Sequence, residues 1–160
     1  MHRTKIDLPE GDREKLVGLL NARLADGIDL VFQAKQAHWN VKGPSFIALH
    51  ELFDQIVTDA IEYVDTVAER ITTLGGVAEG TVRVAASKSK LSEYPLEITD
   101  GLAHVEALST TLAAFGKNVR QAIDEATELK DADTADIFTE ISRGVDKNLW
   151  FVEAHIQAER

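Results

Sequence analysis

Apolar residues return at three- and four-residue spacing along four long stretches of this sequence, and such a chain must bury four helical faces against one another. In the first stretch, Gly11-Asp12 precedes Leu16, Leu19, Leu20, Leu24, Ile28, Val31 and Phe32, which predicts a helix of about 27 residues lasting to about His38. Asn40, Gly43 and Pro44 break it. Ser45 is placed to cap a second helix through Phe46, Leu49, Phe53, Ile56, Tyr63, Val67, Ile71 and Leu74. Gly75-Gly76 stops that helix, as a glycine just past a helix end does. Val77 to Pro95 is a longer connection with room for one short helix around Val82 to Ala86. A third helix is predicted from about Ile98 to Leu129, with Gly116 as an exception inside it. The fourth opens with Asp131, Asp133 and Thr134, acids suited to the positive end of a helix dipole, and continues through Ile137, Ile141, Val145, Leu149 and Val152. No stretch alternates as a strand would.

Four long helices, two short junctions and a long connection between the second and third describe an all-α, ferritin-like four-helix bundle. The 160 residues suffice for one domain, 1–160, with residues 1–11 expected as a flexible tail, and for a core that needs no disulfide or structural metal. With no cysteine in the chain, thiol catalysis, Cys-ligated zinc and thiolate iron–sulfur clusters are excluded. Any metal must be held by imidazole and carboxylate. No apolar run approaches the roughly 18 residues of a membrane span, and Met1 to Lys15 lacks the apolar centre of a signal peptide, so a soluble cytoplasmic protein with no membrane partner is expected. The 27 acids outnumber 17 lysines and arginines, a formal charge of −10 that opposes non-specific nucleic-acid binding and attracts cations.

The second predicted helix carries an unusual stripe. At about 100° per residue, His50, Asp54, Asp65 and Glu69 fall near 0°, 40°, 60° and 100° on the helical wheel and share one face. His50/Asp54 and Asp65/Glu69 each have the spacing that brings side chains together, so each could offer two ligands to one ion. Asp54 and Asp65 lie roughly 16 Å apart along the axis, too far to meet on one ion within one chain. Two copies of the helix packed antiparallel about a two-fold axis near Asp59 and Ala60 remove the difficulty. Asp54 of one then faces Asp65 of the other and His50 faces Glu69, giving two equivalent sites, each built from both chains. His38 could add a third ligand on the His50 side, and this set suits Fe²⁺, Mn²⁺ or Zn²⁺. A solvated acidic face has the same spacing, and spacing alone leaves both readings standing. A di-iron centre inside the bundle would need Glu-x-x-His motifs. Lys35, Ile47, Gly101 and Val152 stand three residues before His38, His50, His104 and His155, so that arrangement is disfavoured.

The segment Lys35-Gln36-Ala37-His38-Trp39-Asn40-Val41-Lys42-Gly43, then Phe46 through Asp54, Leu74-Gly75-Gly76, and Leu149 through His155, resembles the Dps family, the DNA-binding proteins from starved cells. The resemblance covers about Leu16 to His155. It implies a hollow twelve-subunit shell that oxidises Fe²⁺, preferably with hydrogen peroxide, and stores the ferric product, protecting against oxidative damage. It also implies a ferroxidase site at a two-fold interface, with His38, His50 and Asp54 from one subunit and Asp65 and Glu69 from the other. Acids in the region of Asp131, Asp136 and Glu140 are implied to line a three-fold pore, with Ala132 standing where relatives often carry another acid. Trp39 adjoins a ligand and either packs at an interface or intercepts oxidising equivalents. Trp150 reads as core or interface, and His104 and His155 as structural.

DNA binding is where the chain departs from that family's name. Members that bind DNA use a lysine-rich tail, whereas Arg3, Lys5, Arg13 and Lys15 here are balanced by Asp7, Glu10, Asp12 and Glu14, leaving only the small group His2, Arg3 and Lys5. Weak or absent DNA binding is expected. The competing readings are a DNA-compacting, nucleoid-associated protein with incidental iron binding and a metal-free helical scaffold.

Overall fold

In a computed structural model, which describes residues 1–158, the first apolar stretch forms α1 (Glu10–Asn40), a helix of 31 residues and about 46 Å. It is followed by α2 (Phe46–Thr73), the short α3 (Val82–Lys88), α4 (Gly101–Glu128) and α5 (Ala132–Glu153), with no strand among the described residues. Helix α1 packs along α2 and α4 along α5, with α1 against α4 and α2 against α5 closing the bundle, while α3 lies on α1. Leu16, Leu20 and Leu24 meet Leu49, Phe53 and Ile56 with Leu108, Leu112, Phe138 and Val145 in one core. At about 1.5–3 kcal/mol for each large apolar side chain removed from water, this shared core outweighs any intrinsic helix preference. Among the described residues no helix is long and apolar enough to cross a membrane.

The helix ends follow local chemistry. Gly75 has φ +87°, its N–H reaches the Thr72 carbonyl and that of Gly76 reaches Ile71, so the glycine pair closes α2 as expected. Ser45 stands at the N-cap of α2 but makes no side-chain cap bond. The third long helix begins three residues later than its periodicity predicts. Asp100 accepts from Leu102 N and Ala103 N as its cap, and Lys42 N donates to the Thr99 carbonyl at 2.8 Å, which holds residues just before the helix in an extended bridge. A Cβ added at Gly116 would come within 3.3 Å of Val145, so that glycine permits the close approach of α4 and α5.

Buried polar groups fasten the long connection. Asp26, fully buried on α1, is paired with Arg23 at 3.0 Å and accepts from Asn118 Nδ2 and Lys90 N. Gln33 donates to the Ser92 carbonyl and accepts from Thr111 Oγ1. Satisfied in this way, these groups fix the chain entering α4 instead of costing desolvation energy. His2 N donates to the Gly75 carbonyl at 2.7 Å, and the buried Arg13 binds the Leu74 and Leu8 carbonyls, which lays residues 2–8 against the ends of α1 and α2.

Candidate metal centre

His50 of the stripe and His38 of α1 are clamped to each other's backbone. His38 lies in the last turn of α1, where helix carbonyls lack an intrahelical partner, and Lys42 N, which would otherwise serve the His38 carbonyl, is committed to Thr99. His50 Nδ1 donates to that carbonyl at 2.8 Å, and His38 Nδ1 donates to the His50 carbonyl at 2.8 Å. The rings stack with centroids 3.7 Å apart. Carbonyl oxygens only accept, so both Nδ1 atoms carry hydrogen, and the nitrogen that either ring could offer a metal is Nε2. Backbone carbonyls orient metal-binding imidazoles in this way.

Asp54 stands beside them, with Oδ1 3.9 Å from His38 Nδ1. Lys35 Nζ lies 2.5 Å from the same oxygen. That hydrogen bond, opposed by desolvation and helped by the charges of His38, Lys35 and His50, holds the carboxyl below its ordinary value. The anion is therefore ready to ligate a cation, with the ammonium as its present partner. Lys35 stands three residues before His38, which puts both on one side of α1.

Asp65 and Glu69 are exposed further along α2, and their carboxylates make no ion pair or hydrogen bond among the described residues. Within one protomer the structure joins His38, His50 and Asp54 and leaves Asp65 and Glu69 apart; among the described residues no group of three or more side chains meets the geometry of a metal site. Ala60 is buried and Asp59 accepts from Asn148 on α5, so both face their own bundle. The exposed residues at that level of α2 are Thr58 and Ile61, and Ile61 is 52% exposed in the middle of the acidic stripe.

The remaining candidates divide by exposure. Asp136 and Glu140 are exposed on α5, whereas Asp131 is buried, held by Arg70 Nη2 at 2.7 and 2.9 Å and capping α5 through Thr134 N. Burial would raise its pKa; the Arg70 and Thr134 bonds outweigh that and bring it below the ordinary value. Its charge serves the α2–α5 junction, so it does not join Asp136 and Glu140 at the surface. Trp39 and Trp150 are 62% and 60% exposed, so neither is core within the protomer. His104 is buried, and His155 is exposed with Nδ1 on the Phe151 carbonyl.

The all-helical fold defines a ferritin-like protein, and the ferritin family, described as a ferritin-like domain, matches residues 17–160. The DNA protection during starvation protein of Agrobacterium fabrum is 47% identical over 98% of this chain and 96% of that protein. DpsA14 from Streptomyces coelicolor superposes with a TM-score of 0.92 at 35% identity, covering 97% of this chain and 92% of that one. Dps from Vibrio cholerae, described as a member of a broad superfamily of ferritin-like diiron-carboxylate proteins, superposes at 0.90 with 25% identity over 98% of each chain. The chain belongs to the Dps family.

Proposed function

We propose that this protein is a peroxide-dependent ferroxidase and iron-storage shell of the cytoplasm, a homododecamer whose sites lie between two-fold related chains. The observation that carries this reading is the division of ligands. His38 and His50 keep Nε2 outside their backbone clamp beside an ionised Asp54, while Asp65 and Glu69 stand unpaired on the same face too far along α2 to reach them. The exposed Ile61 between the two halves supports a helix-on-helix contact there, since a large apolar side chain on an acidic face gains by burial. Thr58 and Ile61 are equidistant from the stripe's midpoint and would face each other across the axis.

Iron is the substrate. The imidazoles and Asp54 of one chain, with Asp65 and Glu69 of the other, would bind Fe²⁺ in a set whose carboxylates favour the ferric state. Two ferrous ions each give one electron to a peroxide, which takes up two protons and leaves as two waters, so no hydroxyl radical is released. Lys35 must leave Asp54 as the cation arrives, which exchanges one positive partner for another. Asp136 and Glu140, exposed and unpaired on α5, are proposed to line the entry path.

Mixing metal-free protein with Fe²⁺ without oxygen, adding peroxide and following ferric absorbance beside native mass tests the reading. A dodecamer that consumes about two Fe²⁺ per peroxide is expected, as the electron balance requires. A monodisperse monomer at neutral pH, or ferric formation no faster than in buffer, would overturn it.

Nucleic acid gives a second test. Twelve chains at −10 carry a formal −120, and of the four tail cations Arg13 is spent on the Leu74 and Leu8 carbonyls while Lys15 pairs with Asp12. Metal-free protein should not retard plasmid DNA at about 150 mM salt. Retardation there would favour the DNA-compacting alternative.

A further inference from the structure

Tyr94 and His104 form a phenol–imidazole pair that the proposed iron chemistry leaves unused. Tyr94 sits half-buried in the connection that Gln33 fastens through Ser92, and its hydroxyl lies 2.8 Å from His104 Nδ1. The rings are 17° from parallel with centroids 6.0 Å apart. His104, in the first turn of α4, is 1% exposed, and its Nε2 is buried with no hydrogen-bond partner. From α2, Phe53 faces the imidazole with centroids 6.4 Å apart, and Phe53 immediately precedes Asp54. A line of three aromatic rings thus leads from the α3–α4 connection to the helix bearing the candidate centre.

Burial lowers the pKa of His104, against the opposing pull of the Ile98 carbonyl, the Asp100 carboxylate and the Asn40 carbonyl. The ring is therefore neutral at neutral pH and keeps one lone pair. Those neighbours are all acceptors, while the Tyr94 hydroxyl can donate. The arrangement puts the ring proton on Nε2 and leaves Nδ1 to accept from the phenol, within the reach of a general base. The same acceptors stabilise an imidazolium that forms briefly. Tyr63, the other tyrosine, differs: burial, then Asp59, Glu62 and Glu140, push it up to about 12, and among the described residues its hydroxyl bonds to no base.

We propose that Tyr94, hydrogen-bonded to His104, is a redox-active tyrosine that takes up the oxidising equivalent of a hydroxyl radical and hands it to ferrous iron. In the first step the phenol loses one electron to the radical, which becomes hydroxide, while the phenolic proton moves to His104 Nδ1. The products are a neutral phenoxyl and an imidazolium. In the second step one Fe²⁺ returns an electron, becoming Fe³⁺, and the proton returns to the phenolic oxygen. The sum converts a hydroxyl radical and Fe²⁺ into hydroxide and Fe³⁺ with the protein unchanged. The radical arises where a single Fe²⁺, outside a paired site, reduces peroxide by one electron to hydroxide and hydroxyl radical; the presence of iron and peroxide rests on the ferroxidase reading, and the pair itself does not.

The test therefore begins without metal. Azide radicals generated by pulse radiolysis would oxidise the assembled, metal-free protein while phenoxyl is followed optically and by electron paramagnetic resonance. Tyr63→Phe should retain a long-lived phenoxyl, Tyr94→Phe should lose it, and His104→Gln should shorten its lifetime by about tenfold or more, since the proton acceptor is gone. In the wild type, formation should be slower in D₂O. A persistent signal in Tyr94→Phe, or equal rates in H₂O and D₂O, would overturn the proposal even if His104→Gln fails to assemble. With Fe²⁺ and peroxide, Tyr94→Phe should form ferric product at the wild-type rate yet release more spin-trapped hydroxyl radical. Absence of ferric product in the wild type would instead count against the ferroxidase reading, and the metal-free radical would still decide the role of Tyr94.

Discussion

Shells made only of His50→Ala/Asp54→Ala chains, or only of Asp65→Ala/Glu69→Ala chains, should lose rapid iron oxidation, and co-assembling the two should restore part of it. Each parent lacks one half of every two-fold site. Loss of an outer partner of a metal ligand already costs about 10–100-fold in affinity or activity, so removing two ligands should cost about a hundredfold or more. In a mixed dimer one site inherits both defects, and the other receives an intact half from each chain. Random pairing makes half the dimers mixed, so recovery should approach about a quarter of wild-type sites, as an isologous interface requires. Stopped-flow ferric absorbance after co-refolding, with native mass confirming mixed dimers, measures it. Mixtures as inactive as either parent would show that the ligands do not come from two chains.

How much of this site could be read from the sequence depends on whether each interaction is local. Periodicity alone located α2 within a residue at each end, because Leu49, Phe53, Ile56 and Ile71 repeat every turn and Gly75 supplies the left-handed residue that ends it. The start of α4 is not legible in periodicity: Ile98 fits the apolar rhythm, while the Asp100 cap and the bond from Lys42 N to Thr99, a contact across the chain, set the boundary at Gly101. His50, Asp54, Asp65 and Glu69 were legible as one face because they lie on one helix. The clamp between His38 and His50 was not, since it joins backbone carbonyls of two helices. Lys35 escaped for the same reason, its partner Asp54 being on the other helix.

The tail shows how far a charge count reaches. Its neutrality is visible in Arg3 through Lys15, where Arg13 counts as one cation balanced by the neighbouring acids. In the fold that guanidinium is a buried strut that satisfies the Leu74 carbonyl at the end of α2. A cation so used cannot meet a phosphate without exposing that carbonyl, so the charge available to nucleic acid is lower than the sequence suggests.

The largest stability effect expected is at the other end of α2. Arg70 and Asp131 are 11% and 3% exposed at their side chains, and the guanidinium holds both carboxylate oxygens while its Nε donates to Thr134 Oγ1. Arg70→Ala leaves a buried anion whose remaining partners among the described residues come only from Thr134, and breaking a buried pair from one side costs about 3–5 kcal/mol. Out of a total of about 5–15 kcal/mol for a typical domain, that approaches unfolding. Denaturant titration at fixed protein concentration, which holds the assembly's contribution constant, measures it. Arg70→Met with Asp131→Asn should recover much of the loss, because asparagine still caps α5 and no charge is left buried. The pH dependence has a definite sign. In the wild type Asp131 is held below its unfolded value of 3.8, so its contribution is present above that pH and fades as pH falls through the lowered native value. In Arg70→Ala the desolvation that raises the pKa goes largely unopposed, and protonation relieves the buried charge. The gap between wild type and variant should therefore begin to narrow above about pH 4, as pH falls through the variant's raised native value, and go on narrowing below about 4 as the wild type loses its own contribution. A loss under about 1 kcal/mol, or a gap independent of pH, would mean that the pair behaves as a solvated surface bridge and that Asp131 remains free to serve elsewhere.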